Sequence, residues 1–468
     1  MLSIRQLILL KNSLFLAGGV TAFSLFFGVP LGFLMERVNF PLKKIIRLLI
    51  PIPLLIPPYL HAIAWRFLLV NFQQSTISLY NLPSAILIMS FAYFPIIALL
   101  TMFALKNIDA RLEEAGELFL GKWTIWQKIT LPLIMPAVAA GAFFVFILSI
   151  TDFGVPSLLH VNVFTYEIFS QFSAFFNFGK AILLSWPLLV ITAFLLFTFY
   201  FLLLRNKPII SISSGTRSIK PIRIGVIGRV AALIFIVLLL SVSVFLPIIS
   251  FLIQAGGIDS FIFAFRSSSG AIGKSLFLSA FGATLITAAG FAFLVFHQCR
   301  FVVQNTFRFT SLLLLVFPSI TIAIFLIKIF NRPLLEVFYT SFGIIIVGFL
   351  FRFFPYASEI LRTFFAQIDK KLIEAAKLTD AGNFQILRKI LIPMLMPGII
   401  AAFLVSFILC LTELGTTILI HPPGWQTLPI RIFVLMHYGA PELVAALCLI
   451  LIAITIIPFG LLLYFQKG

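Results

Sequence analysis

Phe146-Ile-Leu-Ser-Ile-Thr-Asp-Phe-Gly154 returns late in the chain as Phe407-Ile-Leu-Cys-Leu-Thr-Glu-Leu-Gly415, 261 residues on. Pro57 matches Pro318 at the same offset. Phe94-Pro95 matches Phe354-Pro355 and Ile108-Asp109 matches Ile368-Asp369, both at 260, and Ser13-Leu14-Phe15 pairs with Ser275-Leu276-Phe277. One such match is chance; an ordered series at a nearly constant offset is an internal repeat. The chain reads as two homologous halves, 1–205 and 230–468, the second with an extra leading helix. The polar, basic, Ser-rich stretch 206–229 links them.

The repeated unit is apolar. Of 468 residues 61% are hydrophobic and 10% charged, with 57 Phe, far outside the balance of a soluble globular protein and incompatible with disorder. Apolar runs of spanning length fall near 7–34, 47–70, 84–105, 133–158 and 181–204, then near 230–254, 272–296, 309–330, 341–366, 393–420 and 441–464. They are too long for barrel strands, so the expected fold is all-α with about eleven transmembrane helices. The first run is too long for a cleavable signal peptide and has no small-residue cleavage site. Five matched helices per half would invert the second copy; the unmatched run at 230–254 restores even parity and gives two parallel repeats.

The net charge of +18, from 33 Lys and Arg against 15 Asp and Glu, would suggest nucleic acid in a soluble protein. Here the basic residues stand between apolar runs. Twenty-three of the 33 lie in alternate loops, such as Arg37–Arg47, Lys106–Lys128, Arg205–Arg229 and Arg362–Lys389. Those loops are expected to face the cytoplasm, with the N-terminus outside and the C-terminus inside. No nucleic-acid partner is expected; the partner of the surface is the lipid bilayer. Cys299, Cys410 and Cys448 have neither disulfide nor metal spacing.

After the third matched helix each half carries a long loop. The first reads Glu114-Ala115-Gly116, then Gly121, Ile129-Thr-Leu-Pro132 and Pro136; the second reads Glu374-Ala375-Ala376, then Gly382, Ile390-Leu-Ile-Pro393 and Pro397. Each is a short helix, a Gly break, an amphipathic turn and a Pro at the next helix start, where its missing N–H costs nothing. Read from the residues, such a loop either smooths helix entry at the membrane surface or forms a stiff protrusion that docks into a partner's groove.

This pattern resembles the membrane permeases of binding-protein-dependent ABC importers (MetI-like), whose signature loop is Glu-Ala-Ala, a Gly, and Ile-x-Leu-Pro about nineteen residues after the Glu. The second copy fits at 19 residues from Glu374 to Pro393; the first is one residue shorter, with Gly116 for the second Ala. The resemblance implies that the loops are coupling helices seated on a cytoplasmic ATPase dimer, through Glu114, Ala115, Gly121, Pro132, Glu374, Ala375, Gly382 and Pro393. It implies a periplasmic substrate-binding protein outside and a bacterial inner-membrane location. No cofactor is expected on this chain, because ATP and Mg belong to the ATPase, and the chain is expected not to be an enzyme. The fusion of both halves, with Thr151-Asp-Phe-Gly-Val-Pro156, Pro422-Pro-Gly-Trp-Gln-Thr-Leu-Pro429 and Leu435-Met-His-Tyr-Gly-Ala440, resembles the iron(III)-type branch and also fused thiamine permeases. Fused members often begin with one further helix, so the first half is expected to be shortened.

Gly270-Ala-Ile-Gly-Lys-Ser275 imitates the end of a phosphate-binding loop, but Ser268 stands where the first Gly is needed and no strand precedes it. Asp152 and Glu413, each after a Thr (Thr151, Thr412), occupy matched positions near helix ends. A charge at the bilayer centre costs roughly 2.5–3.5 kcal/mol, so such acids face a bundle interior or a wet path. Two readings stay open: they line the path of a cationic cargo, or they finish helices at the outer interface. Arg352, Glu359 and Arg362 read as a packing or gating network. His61, His160, His421 and His437 lack ligand spacing, and no metal site is expected. Two other functions fit the composition: an ion-coupled secondary transporter, which also uses repeats and midplane acids, and a membrane scaffold.

Overall fold

The computed structural model describes residues 3–71, 78–201, 222, 225–298, 304–369, 372, 376 and 382–465. The chain divides into two compact units, Met1–Gln254 and Ala255–Gly468.

In the first unit, α1 (Ile4–Arg37) opens on a capping box in which Ser3 and Gln6 satisfy each other's backbone N–H. A broken pair follows, α2 (Lys43–Leu55) and α3 (Pro58–Leu69), bent by 94°. Then come α4 (Leu82–Lys106), α5 (Ala110–Glu117), α6 (Trp123–Thr151), α7 (Gly154–Leu158), α8 (Phe164–Ser173), α9 (Phe178–Phe199) and α10 (Val226–Ala255).

Small residues set the spacing of α1 and α4. A Cβ on Gly32 would lie 2.7 Å from Thr101 Cβ and 2.8 Å from the Ala98 carbonyl oxygen. In lipid, where apolar burial between helices gains little, such close backbone approach supplies the packing energy. Gly19 meets Ile86 while Gly32 meets Thr101, so contacts advance along both helices together and α1 and α4 run parallel. The chain between them must therefore return across the layer, which makes the bent pair a crossing and not a re-entrant loop. Antiparallel to both runs α6: Gly141 lies on Ile97, and Ile134 and Val138 cluster with Leu105.

The second unit repeats this frame. It contains α11 (Ile258–Gln298), the broken pair α12 (Phe309–Val316) and α13 (Ser319–Phe330) bent by 98°, α14 (Gly343–Phe365), α15 (Phe384–Thr412), α16 (Thr417–Ile420), α17 (Leu428–Tyr438) and α18 (Pro441–Phe465). Gly282 meets Phe349 and Gly290 meets Ser358 and Leu361, so α11 and α14 are again parallel and the second bent pair also crosses. Among the described residues nine unbroken helices and two broken pairs cross the layer, eleven in all.

Proline explains both breaks. The residue before a proline is pushed out of the helical region. Ile56, before Pro57, sits at φ −94°, ψ 107°, and Phe317, before Pro318, at φ −79°, ψ 119°. Proline also explains three one-turn π segments, Trp126–Thr130, Ser241–Phe245 and Leu387–Leu391. Each ends two residues before a proline (Pro132, Pro247, Pro393). Proline has no N–H for the carbonyl four residues back, and its ring crowds that oxygen; widening the preceding turn by one residue relieves both.

The hydropathy reading misplaces four boundaries. The runs 133–158 and 393–420 are not single helices: α6 stops at Thr151 and α15 at Thr412, each followed by a separate short helix. The run 272–296 is the inner part of a helix that begins at Ile258, and 230–254 begins at Val226. The extra helix α10, grouped by sequence with the second half, packs in the first unit. Ala232, Ile236, Leu239, Leu240 and Val244 join Leu31, Met35, Phe94 and Ala98 in one core. Ser250 Oγ donates to the Ala64 carbonyl at 2.7 Å. Repeat alignment orders sequence; it does not choose a packing partner. Of the linker 206–229, only 222 and 225–229 lie within the described residues.

Candidate functional site

The first long loop is built by a run of caps. Asp109 Oδ1 accepts from the Arg111 N–H at 3.0 Å and starts α5. The helix ends at Glu117, and the Gly116 carbonyl in its last turn accepts from Phe119 and Leu120. A Cβ at Gly116 would fall 2.8 Å from Ile129 Cδ1, so the departure from Ala there lets α5 lie against the π turn. The carbonyl of Gly121 starts the next turn by accepting from Ile125 at 3.0 Å. Around this break the apolar side chains turn outward: Leu118 is 77% exposed, Phe119 87% and, just after Gly121, Trp123 69%. Glu114 is half-buried and Ala115 exposed. Pro132 stands at the α6 core entry, after the π turn.

In the second loop Glu374 and Ala375 lie outside the described residues. Gly382 repeats the role of Gly121, its carbonyl accepting from Gln385 and Ile386, and Phe384 beside it is 71% exposed. Pro393 follows the matching π turn. Around both Gly121 and Gly382 a Cβ would meet nothing within 4 Å. Among the described residues neither glycine is required by packing, which leaves the space over it open to another molecule.

A residue beside the predicted motif, Glu113, ties the first loop to the end of α1. Arg37, 4% exposed at the end of α1, donates to Glu113 through both terminal nitrogens, at 2.8 and 2.5 Å. The buried Thr130 hydroxyl, in the π turn, donates to the same carboxylate at 2.6 Å. Two adjacent acids, Glu113 and Glu114, cannot be told apart by sequence spacing; the only signal is that an acid in the first turn of a helix that follows a basic segment has a cation to find.

Asp152 and Glu413 occupy equivalent breaks. Asp152 Oδ1 accepts from Val155 N at 2.9 Å, and Glu413 Oε1 from Thr416 N at 2.7 Å, each starting the short helix that follows. Glu413 also receives Arg352 Nε at 3.0 Å. Thr151 and Thr412 turn their hydroxyls back to the carbonyls of Ile147 and Ile408. Arg362 pairs with Glu359, and Arg352 with Glu413.

Ser13 and Ser275, matched by the repeat, share a contact the sequence reading did not assign. Ser13 Oγ accepts from Phe164 N at 3.0 Å and Ser275 Oγ from Leu428 N at 2.6 Å, so each ties its unit's first helix to a later helix start. This places Gly270–Ser275 inside α11, where no phosphate loop exists; Lys274 donates to the Gly424 carbonyl. His61 is fully buried, His160 stacks on Tyr80, and His421 and His437 sit against their own helix carbonyls. Among the described residues no His, Cys, Asp or Glu cluster fits a metal ion.

Comparison with known proteins follows the two-unit geometry. The family described as binding-protein-dependent transport system inner membrane component matches twice, over residues 28–205 and 298–468. The chain is 27% identical over 441 residues to the Fe(3+)-transport system permease protein FbpB 2 of Haemophilus influenzae, covering 91% of this chain and 83% of that protein. It is 32% identical over 146 residues to the molybdate/tungstate transport system permease protein WtpB of Thermococcus kodakarensis, 31% of this chain and 57% of that one. A putative 2-aminoethylphosphonate transport system permease protein, PhnV of Salmonella paratyphi A, matches at 32% over 141 residues, 30% of this chain and 52% of its own length.

Proposed function

The chain belongs to the binding-protein-dependent transport system inner membrane components, and from that premise we propose that it is the fused permease subunit of an ATP-driven importer whose cargo is iron(III). As a member of that family it is a multi-pass transport component of the membrane. The ATPase dimer, the periplasmic binding protein and the cargo are our reading.

One observation carries it: two matched loops, each with an open glycine beside an outward aromatic and each continuing through a π turn into a core helix. An exposed Phe119 or Phe384 at a membrane surface is unfavourable in water and suits a groove on a partner. The rigid passage into α6 and α15 gives a docked ATPase a lever on each bundle. ATP and Mg reside on that partner.

Orientation follows from charge. The Arg37–Glu113 pair puts Arg37–Arg47 and Lys106–Lys128 at one end of the first unit, and that basic end faces the cytoplasm. The N-terminus then lies outside and the C-terminus inside. Iron is favoured because the iron-named relative matches almost end to end, whereas the molybdate- and phosphonate-named ones match less than a third of this chain. A small organic ion such as thiamine is the second cargo on the same machinery.

The test is reconstitution with an ABC ATPase and a periplasmic binding protein from the same organism. Glu374→Lys and Gly382→Trp, at positions where Gly382 has room in the isolated chain, are expected to abolish ATP-dependent uptake and weaken ATPase association. Persistence of both would overturn the coupling assignment. Uptake of radiolabelled iron(III) against labelled thiamine decides the cargo.

A further inference from the structure

The first loop is attached at a single buried point. In the first unit a buried guanidinium, a carboxylate and a hydroxyl join three elements at one point. Arg37 ends α1, Glu113 lies on α5, and Thr130 closes the π turn within the first part of α6. Arg37 also accepts, through its carbonyl, the Ile222 N–H at 2.7 Å. A planar guanidinium gripping both oxygens of one carboxylate fixes orientation as well as distance, which a single point charge does not.

The register of the repeat places different side chains at these three positions of the second half. Counted from the Asp109 and Asp369 starts, Glu113 corresponds to Ile373; counted from Pro132 and Pro393, Thr130 corresponds to Leu391. Counted from Ser13 and Ser275, Arg37 corresponds to Cys299. All three members of the lock are replaced by side chains that form no ion pair.

We propose that Arg37 is a positioning residue: its two-point grip on Glu113 sets the pose in which α5 meets the ATPase and ties that pose to α1 and α6, an ion-pair lock whose three side chains are not repeated at the matched positions of the second half. This rests on the proposed function, because the lock matters only if α5 docks. Glu113, outside the Glu-Ala-Ala signature, faces inward and leaves Leu118, Phe119 and Trp123 to face the partner. A stroke applied at α5 then reaches α1 directly.

The experiment uses the full chain in lipid nanodiscs and an ABC ATPase from the same organism. ATPase affinity is measured for wild type, Arg37→Met, Glu113→Gln, Arg37→Lys and the exchange Arg37→Glu with Glu113→Arg, with hydrogen exchange of Ala110–Glu117 followed in parallel. Arg37→Met and Glu113→Gln are expected to weaken binding about tenfold. Arg37→Lys, with one contact, falls between, and the exchange returns affinity to within about threefold of wild type. Arg47→Gln, whose pair with Glu36 lies on the surface, serves as a control and leaves binding unchanged.

If wild type binds no ATPase, the proposed function falls and this inference with it. If wild type binds and Arg37→Met binds as tightly while Ala110–Glu117 exchanges faster, the pair is merely structural and only this inference is overturned. An exchanged pair that folds, protects α5 and still binds weakly overturns it too.

Discussion

Replacing Glu413 by Gln tests what the intramembrane acids are for. Glu413 is 7% exposed, accepts Arg352 Nε at 3.0 Å, and starts α16 through Thr416 N at 2.7 Å. A Gln keeps an oxygen for Thr416 but removes the charge that balances Arg352. Breaking one side of a buried pair costs about 3–5 kcal/mol. Because the Arg352 side chain is 20% exposed, water recovers part, and we expect about 2–3 kcal/mol. Glu413→Ala also loses the cap and costs about 1 kcal/mol more. In Arg352→Met with Glu413→Gln no charge remains to be satisfied, so most of the loss is recovered. The assay is a double-mutant cycle from reversible unfolding in mixed micelles, with uptake measured on each variant. A coupling energy below about 0.5 kcal/mol would refute the ion-pair reasoning. A double variant that folds like wild type yet transports nothing would return Glu413 to the cargo path.

Three further outcomes are expected. Gly32→Val forces a side chain onto the Ala98 carbonyl at 2.8 Å and lowers stability by about 1–3 kcal/mol, whereas Gly18→Ala, with nothing within 4 Å, is neutral or stabilising by up to about 1 kcal/mol; thermal melts in detergent separate them. Ser275→Ala leaves the buried Leu428 N–H without its acceptor, costing about 1–3 kcal/mol, with faster hydrogen exchange confined to the start of α17. Arg5→Gln breaks the pair with Glu167, but Arg5 is 73% exposed, so the same melt shifts by less than about 1 kcal/mol.

Sequence reading reached what is local or periodic. Twenty-residue apolar runs located the eleven crossings, because lipid forces each backbone to satisfy itself within a helix. Pro57 and Pro318 were legible as a matched pair, though not as bends of 94° and 98°: whether neighbours straighten or keep a proline break is a packing outcome. The ends of α6 and α15 were missed because hydropathy averages over Asp152 and Glu413, single polar residues whose caps depend on an N–H three positions on.

By itself the sequence determined that this is a doubled, all-helical membrane chain of a recognisable transport family, since repeat, hydropathy and the Glu-Ala-Ala loops are written in consecutive residues. Only the tertiary structure decided that α1 and α4 run parallel on glycine contacts, that α10 packs in the first unit, and that Glu113 rather than Glu114 takes Arg37. These choices join residues as far apart as Arg37 and Glu113, 76 positions in sequence, and no local period carries them. A buried cation accepts whichever carboxylate the packed helices bring within reach, and that is settled when they pack.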